Sequence, residues 1–183
     1  HYAHKPDMSL RLNRWVKEFI EGIEELTVHP FGAIHPEDDD LNRTITETLD
    51  EMNFPGFKIQ CSVMGITADD PRLDPIAEAL VERGKGLVIH TGTAPEEDGT
   101  GGIQYFRPLM KKHPNLKVLV PHLGMMEFEE FAALLPEHDN LYFDVSATLN
   151  PRFDFPWNSF KTYLDDFPDR FLFGTDLPLN ETD

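Results

Sequence analysis

The chain of 183 residues has little cysteine, little basic charge and no long apolar run. Its one cysteine, Cys61, rules out an internal disulfide, and nothing in this usage points to an oxidising compartment, so we expect a cytoplasmic protein. No apolar stretch approaches the roughly 20 residues of a membrane-spanning helix. The 16 Lys and Arg residues face 33 Asp and Glu residues, a net charge of −17. Such a surface repels nucleic acid and anionic membranes, so neither is expected as a partner.

The sequence also lacks the common phosphate-binding motifs. The glycine-rich stretch Gly99-Thr100-Gly101-Gly102 has neither the G-x-G-x-x-G nor the Walker spacing, and it does not directly join a strand to a helix start. We interpret it as a flexible active-site loop, and a nucleotide-binding open sheet becomes less plausible.

What the chain does contain is a regular alternation of helical patterns with short apolar runs. The first helical pattern covers Leu12 to Ile23, with Ser9 available as its N-cap. Continuous apolar runs predict strands buried on both faces, and strict βα alternation predicts a parallel sheet, either open or closed into a barrel. The predicted strands lie near 28–34, 57–61, 87–90, 117–122, 141–145 and 171–175.

Three of these runs end in a residue that can bind a metal ion. Leu87-Val88-Ile89 leads to His90, Val118-Leu119-Val120-Pro121 leads to His122, and Phe171 to Thr175 leads to Asp176. In α/β proteins the carboxyl ends of the strands carry the chemistry. A single histidine there is more often a hydrogen-bonded core residue. Two histidines and an aspartate in equivalent places indicate one shared site.

Five short motifs follow one another along the chain: Gly56-Phe57-Lys58, His90-Thr91-Gly92, His122-Leu123-Gly124, Tyr142 to Ser146, and Gly174 to Pro178. In this order they resemble the amidohydrolase-related (amidohydrolase 2) family of metal-dependent TIM-barrel hydrolases. This family includes the aminocarboxymuconate-semialdehyde and resorcylate decarboxylases. The resemblance implies a (β/α)8 barrel whose helices lie on the outer face only, with these strands as its third to eighth. The expectation is one domain over residues 1–183 that is truncated at both ends.

The resemblance also assigns roles to residues. It implies that His90 and Asp176 bind one divalent metal ion, with Zn²⁺ as the first expectation and Mn²⁺ as the alternative. Asp176 would also take a proton from the attacking water, and His122 would polarise the substrate or shuttle protons. Lys58 matches the family's Gly-x-Lys pattern, for which a structural or a substrate-anchoring role fits.

Two further residues are candidates for substrate contact. Arg107 could clamp a substrate carboxylate, although an exposed arginine without a function is the commoner case. Ser146, at the end of the fifth predicted strand, could contact substrate or support the site through hydrogen bonds.

One family feature is missing: the His-x-His pair that supplies two more metal ligands at the end of the first strand. We expect an enzyme that cleaves an amide or ester of a small molecule by means of a metal-activated water. Alternatives are a decarboxylase without a redox cofactor, acting on an unsaturated or aromatic acid, and a non-catalytic barrel-like binding protein. A second copy of the chain could complete the barrel, which leaves a homo-oligomer open.

Overall fold

The computed structural model describes residues 2–93, 99–148 and 155–176. Within them, six parallel strands form one sheet in which each strand pairs with the next along the chain. This sequential parallel order confirms the βα alternation that the sequence predicts. The strands are β1 (Gly32–Ala33), β2 (Gly56–Gln60), β3 (Gly86–His90), β4 (Lys117–Val120), β5 (Leu141–Asp144) and β6 (Phe171–Leu172).

Helices connect the strands, and none of those described is both long enough and apolar enough to cross a membrane. A single π-helical turn, Glu47–Glu51, extends the second helix, and short 3-10 turns occur at Pro71–Leu73, Pro121–Gly124 and Pro168–Arg170. The helices are α1 (Ser9–Glu21), α2 (Leu41–Thr46), α3 (Cys61–Met64), α4 (Asp74–Glu82), α5 (Ile103–Lys112), α6 (Phe128–Ala132) and α7 (Trp157–Asp166).

Two helix ends have the capping residues that helices favour, whereas the predicted N-cap of α1 was wrong. Asp40 caps α2, since its side chain accepts a hydrogen bond from the Arg43 backbone N–H at 3.0 Å. Gly84 follows α4 with a φ of +62°, a left-handed conformation that glycine adopts without steric cost. Ser9, the predicted N-cap of α1, is instead the first helical residue and its side chain is buried, while Met8 precedes it.

The sheet buries one face, and the prediction of burial on both faces was wrong. In β2, Phe57 and Ile59 are fully buried, whereas the alternate residues Lys58 and Gln60 are only partly buried. The buried set belongs to one hydrophobic core with the apolar residues of α4, α5 and α6, so the helices cover the outer face, as predicted for a barrel. The inner face stays partly accessible because the described sheet remains open.

The two edge strands are shorter than predicted. The predicted strand at 28–34 is reduced to Gly32–Ala33, and the one at 171–175 to Phe171–Leu172. Pro30 contributes to the first difference, because proline has no N–H to donate to a neighbouring strand. Among the described residues, no strand pairs with the outer edge of either one. The sheet is therefore a partial barrel.

Candidate active site

Three predicted residues lie around one pocket at the carboxyl ends of the strands. His90 is the last residue of β3, His122 lies in the tight turn after β4, and Asp176 follows β6. All three line a pocket of about 420 Å³. The pocket is further lined by Tyr2, Lys58, Gln60, Val88, Pro121, Asp144 and Ser146.

The glycines that follow the two histidines bring their loops together. A Cβ atom on Gly92 would lie 2.6 Å from the carbonyl carbon and oxygen of Gly124, closer than real Cβ contacts allow. The neighbouring residues Thr93 and Met125 form an isolated parallel bridge between the same two loops. The glycine two residues after His90 is therefore required for the close approach of the two loops that carry His90 and His122.

The backbone around His122 is strained. His122 and Leu123 both have a φ of +56°, in the left-handed region that residues with a Cβ rarely adopt. Asp176 shares this conformation, with a φ of +60°. Such strain persists only where surrounding contacts hold it, and here the Asp144 carboxylate accepts the His122 backbone N–H at 3.1 Å.

The buried His122 ring contacts each of its neighbours in a defined geometry. Its Nδ1 lies 2.8 Å from the Ser146 hydroxyl oxygen, and its Nε2 lies 3.8 Å from a carboxylate oxygen of Asp176. The His90 ring meets it edge-on, with ring centroids 4.9 Å apart and an interplanar angle of 69°. The two imidazoles and the carboxylate thus form one cluster.

Burial and charge decide the protonation of two pocket residues. Burial lowers the pKa of His90 to about 3, helped by the positive charge of Lys58, so its ring is neutral near pH 7 and keeps a lone pair for a ligand bond. Burial also lowers the pKa of the Lys58 ammonium to about 8, against the attraction of Asp144 and Asp176. Lys58 is therefore mainly a cation near pH 7 and can form an ion pair with a bound anion.

A neutral imidazole and a carboxylate are suitable ligands for a divalent metal ion, so His90 and Asp176 fit part of a metal site. No group of three or more His, Cys, Asp or Glu side chains within residues 2–93, 99–148 and 155–176 lies close enough together to hold an ion. A catalytic zinc site usually has three protein ligands. The described donors therefore supply less than a full ligand set.

The remaining candidates divide between the pocket and the surface. Lys58 and Ser146 line the pocket, but Arg107 is exposed on α5, where its guanidinium approaches the Glu130 carbonyl oxygen at 3.4 Å. The structure does not bring Arg107 to the site. Phe106, Leu109 and Met110 are the buried residues of this helix, whereas Arg107 is exposed.

Asp144 supports the site through hydrogen bonds, although it was not among the predicted site residues. One oxygen of its carboxylate accepts hydrogen bonds from the backbone N–H of His122, the backbone N–H of Ser146 and the Ser146 hydroxyl. The sequence contains a signal for this role, because Asp144 closes an apolar strand as His90 does. Its partners come from a different loop, and only the fold shows them.

The Amidohydro_2 family model, described as amidohydrolase, matches residues 10–183. The chain belongs to the amidohydrolase family. This confirms the resemblance that the five sequence motifs indicated. A comparison with curated proteins found no match.

Solved structures similar to this amidohydrolase-family chain include a TIM-barrel protein and two decarboxylases. An uncharacterised TIM-barrel protein from Bordetella bronchiseptica is 21% identical with a TM-score of 0.71, over 91% of this chain and 59% of its own. The 5-carboxyvanillate decarboxylase from Novosphingobium aromaticivorans, complexed with manganese and 4-hydroxy-3-methoxy-5-nitrobenzoic acid, is 20% identical with a TM-score of 0.65, over 93% and 60%. The 2,6-dihydroxybenzoate decarboxylase from Rhizobium is 15% identical with a TM-score of 0.67, over 98% and 71%. The chain thus spans about three fifths of the length of the first two structures, and at these identities the likeness shows the fold.

Proposed function

We propose that this chain contributes to the active site of a metal-dependent decarboxylase that acts on a small aromatic carboxylic acid. The observation that carries the proposal is the convergence of His90, His122 and Asp176 on one pocket at the carboxyl ends of the strands. The pocket volume of about 420 Å³ lies within the usual range for small-molecule sites. The aromatic acid decarboxylases among the structures of similar fold support this choice of reaction over the amide or ester hydrolysis that the sequence suggested first.

His90 and Asp176 would hold the metal ion, together with ligands from outside the described residues. When bound, a divalent ion supplies a positive charge that stabilises negative charge on an oxygen of the substrate. Zn²⁺ and Mn²⁺ both accept imidazole and carboxylate ligands. The manganese in the Novosphingobium structure gives Mn²⁺ more weight than the sequence analysis did.

The chain's own residues would handle charge and protons. The Lys58 ammonium attracts the substrate carboxylate into the pocket. The Nε2 of His122 takes up a proton from solvent and delivers it to the ring carbon that bears the carboxylate. The bond between that carbon and the carboxylate then breaks, its electron pair returns to the ring, and CO₂ leaves, so that an aromatic acid anion and one proton give the arene and CO₂.

Hydrolysis of an amide or ester remains the second candidate, favoured by one observation. An Asp176 carboxylate oxygen lies 3.8 Å from Nε2 of His122, so the two groups together could receive the protons of an attacking water. A binding protein without catalysis is the third candidate. The presence of a ligand pair and a proton carrier in one pocket argues against it.

The test measures metal content and reaction in the same preparation. The purified protein is loaded with Mn²⁺ or Zn²⁺ and incubated with 2,6-dihydroxybenzoate or 5-carboxyvanillate, and CO₂ release and loss of the acid are followed. A panel of small amides and esters is assayed in parallel. We expect bound metal and decarboxylation, with metal lost in His90→Ala and a raised KM in Lys58→Met. Lys161→Met, on the exposed face of α7, is the matched control for Lys58→Met.

If the protein cleaves only amides or esters, hydrolysis replaces decarboxylation as the proposed reaction. Metal binding without any turnover on either panel would remove the enzymatic proposal. Unchanged metal content in His90→Ala would exclude His90 as a ligand.

A further inference from the structure

The hydrogen bonds of the His122 ring determine which nitrogen carries its proton. Nδ1 lies 3.1 Å from the backbone carbonyl oxygen of Ser146 and 2.8 Å from the Ser146 hydroxyl oxygen. A carbonyl oxygen can only accept a hydrogen bond, so Nδ1 must be the donor at that contact. In the neutral ring, Nε2 then carries the lone pair.

The Ser146 hydroxyl independently requires the same arrangement. A serine hydroxyl has a single proton, and here it points to a carboxylate oxygen of Asp144, which as an anion can only accept. The hydroxyl therefore has no proton left for His122, and its oxygen must accept the Nδ1–H. The same Asp144 oxygen also accepts the backbone N–H of Ser146 at 3.0 Å, so the hydroxyl is held on both sides.

We infer that Asp144 and Ser146 are positioning residues that fix His122 in the Nδ1–H tautomer and direct the Nε2 lone pair into the pocket. Nε2 faces Asp176 at 3.8 Å, so a proton can be taken up only on the side where the substrate and Asp176 lie. The role in the reaction rests on the proposed function of His122. It also reassigns Ser146, because its hydroxyl is already committed to Asp144 and His122 and is not free for substrate.

A backbone hydrogen bond of His122 also supports Asp144 as a positioning residue. The Asp144 carboxylate accepts the N–H of His122 at 3.1 Å, at the residue whose φ of +56° would otherwise relax. One carboxylate therefore sets both the backbone conformation and, through Ser146, the ring of the same histidine. A side chain that touches no reacting atom thus controls where the reacting proton sits.

The experiment reads the tautomer directly. Long-range proton–nitrogen NMR on the ¹⁵N-histidine-labelled, Zn²⁺-loaded protein distinguishes Nδ1–H, Nε2–H and doubly protonated rings. His122→Asn identifies the signal. We expect Nδ1–H in the wild type and in Ser146→Thr, which keeps the hydroxyl. Ser146→Ala loses the 2.8 Å hydroxyl contact and keeps only the longer 3.1 Å contact to the backbone carbonyl, so we expect a mixture with Nε2–H there. Ser159→Ala, on α7, is the control. On 2,6-dihydroxybenzoate, kcat should fall by roughly 10- to 100-fold in Ser146→Ala with KM little changed.

An Nε2–H ring in the wild type overturns the inference, and so does an unchanged tautomer in Ser146→Ala. If Ser146→Ala does not fold, the wild-type and Ser146→Thr spectra still decide, because an Nε2–H ring in either one contradicts the hydrogen-bond pattern. The Nδ1–H ring without any decarboxylation supports the positioning by Asp144 and Ser146 and removes only the proposed reaction.

Discussion

The Asp176 side chain is 43% exposed, and its carboxylate faces Nε2 of His122 at 3.8 Å. Asparagine has the same shape but lacks the negative charge and cannot accept a proton under these conditions. In the proposed decarboxylase Asp176 would be a metal ligand, and in the alternative hydrolase it would also accept a proton. We expect Asp176→Asn to lower kcat by about 10²- to 10⁴-fold, with little change in thermal stability. Turnover and thermal unfolding measured on one preparation separate the two effects.

Asp165→Asn is the matched control for this change. Asp165 is exposed on α7, where it pairs with Lys161 four residues earlier, and an exposed pair of this kind contributes little to stability. Full turnover in Asp176→Asn would contradict a role for the carboxylate in the reaction.

At the residue scale, sequence identified the members of the site better than their contacts. His90, His122 and Asp176 were predicted to converge, because each ends an apolar strand and such ends meet at one edge of a parallel sheet. The contact between Ser146 and His122 was not predicted. It depends on the left-handed backbone turn at His122. Residues other than glycine rarely adopt this conformation, so the sequence pattern does not predict a turn there.

Helix α1 is attached to the sheet by a buried polar residue. The Asn13 side chain accepts the Ala33 backbone N–H at 2.7 Å, donates to the Ala33 carbonyl at 2.8 Å and donates to the Thr48 hydroxyl at 2.9 Å. Asn13→Ala leaves buried partners unpaired, so we expect the free energy of unfolding to fall by about 1–3 kcal/mol. Urea unfolding measures it.

Asn158→Ala provides the comparison, because Asn158 is exposed on α7 and its replacement should change the free energy of unfolding by less than about 0.5 kcal/mol. Equal unfolding midpoints for the two variants would mean that Asn13 does not anchor α1.

At the element scale, the interior strands were predicted to within a few residues and the edges were not. Interior strands have two neighbours, so their apolar runs are long and distinct. At the edges, pairing on one side sustains only two residues in β1 and in β6. The apolar spacing of α1 does not mark a buried face. Trp15 and Phe19 recur at helical spacing within the predicted pattern, yet both are 60% exposed and stack on each other, while Asn13 contacts the sheet.

At the scale of the whole molecule, paired carboxylates make stability sensitive to acid. Hydrogen bonds from Arg43 and then Arg14 lower the pKa of Glu47 below its usual 4.5. At Asp74 burial raises the pKa, but hydrogen bonds from Lys112 and His113 outweigh this effect and leave the pKa lowered below its usual 3.8. A lowered folded-state pKa stabilises the fold above the unfolded value, and this contribution is lost as pH falls through the folded one.

We therefore expect the urea midpoint to hold between about pH 7 and 5 and to fall below about pH 4.5, in the window set by these shifts. Glu47→Gln should lower the midpoint near neutrality and flatten part of the acid loss. Glu18→Gln, which alters an exposed carboxylate on α1, should do neither. If the urea midpoint of Glu47→Gln falls with pH in parallel with that of the wild type, the interaction of Glu47 with Arg43 and Arg14 does not contribute to the acid sensitivity.

The parallel strands were predictable from the residues, and the family resemblance added that the barrel would be incomplete, which the open edges of β1 and β6 among the described residues confirm. Strict alternation of helices and strands predicts parallel strands, and the resemblance to a barrel family added their order along the chain. Whether such a sheet closes depends on tilt and register along all its strands. A local apolar run such as Leu87 to Ile89 does not encode either quantity.

The order of the strands has a consequence for synthesis on the ribosome. Because β2 pairs with β1, β3 with β2, and so on to β6, every strand that emerges finds its partner already made. Each pairing closes a loop of one or two helices and their connections, which keeps the entropic cost of every step small and similar. The same order applies to the cluster around His122. The histidine is translated before Asp144 and Ser146, so the backbone N–H of its strained turn lacks the Asp144 carboxylate as acceptor until β5 has left the exit tunnel.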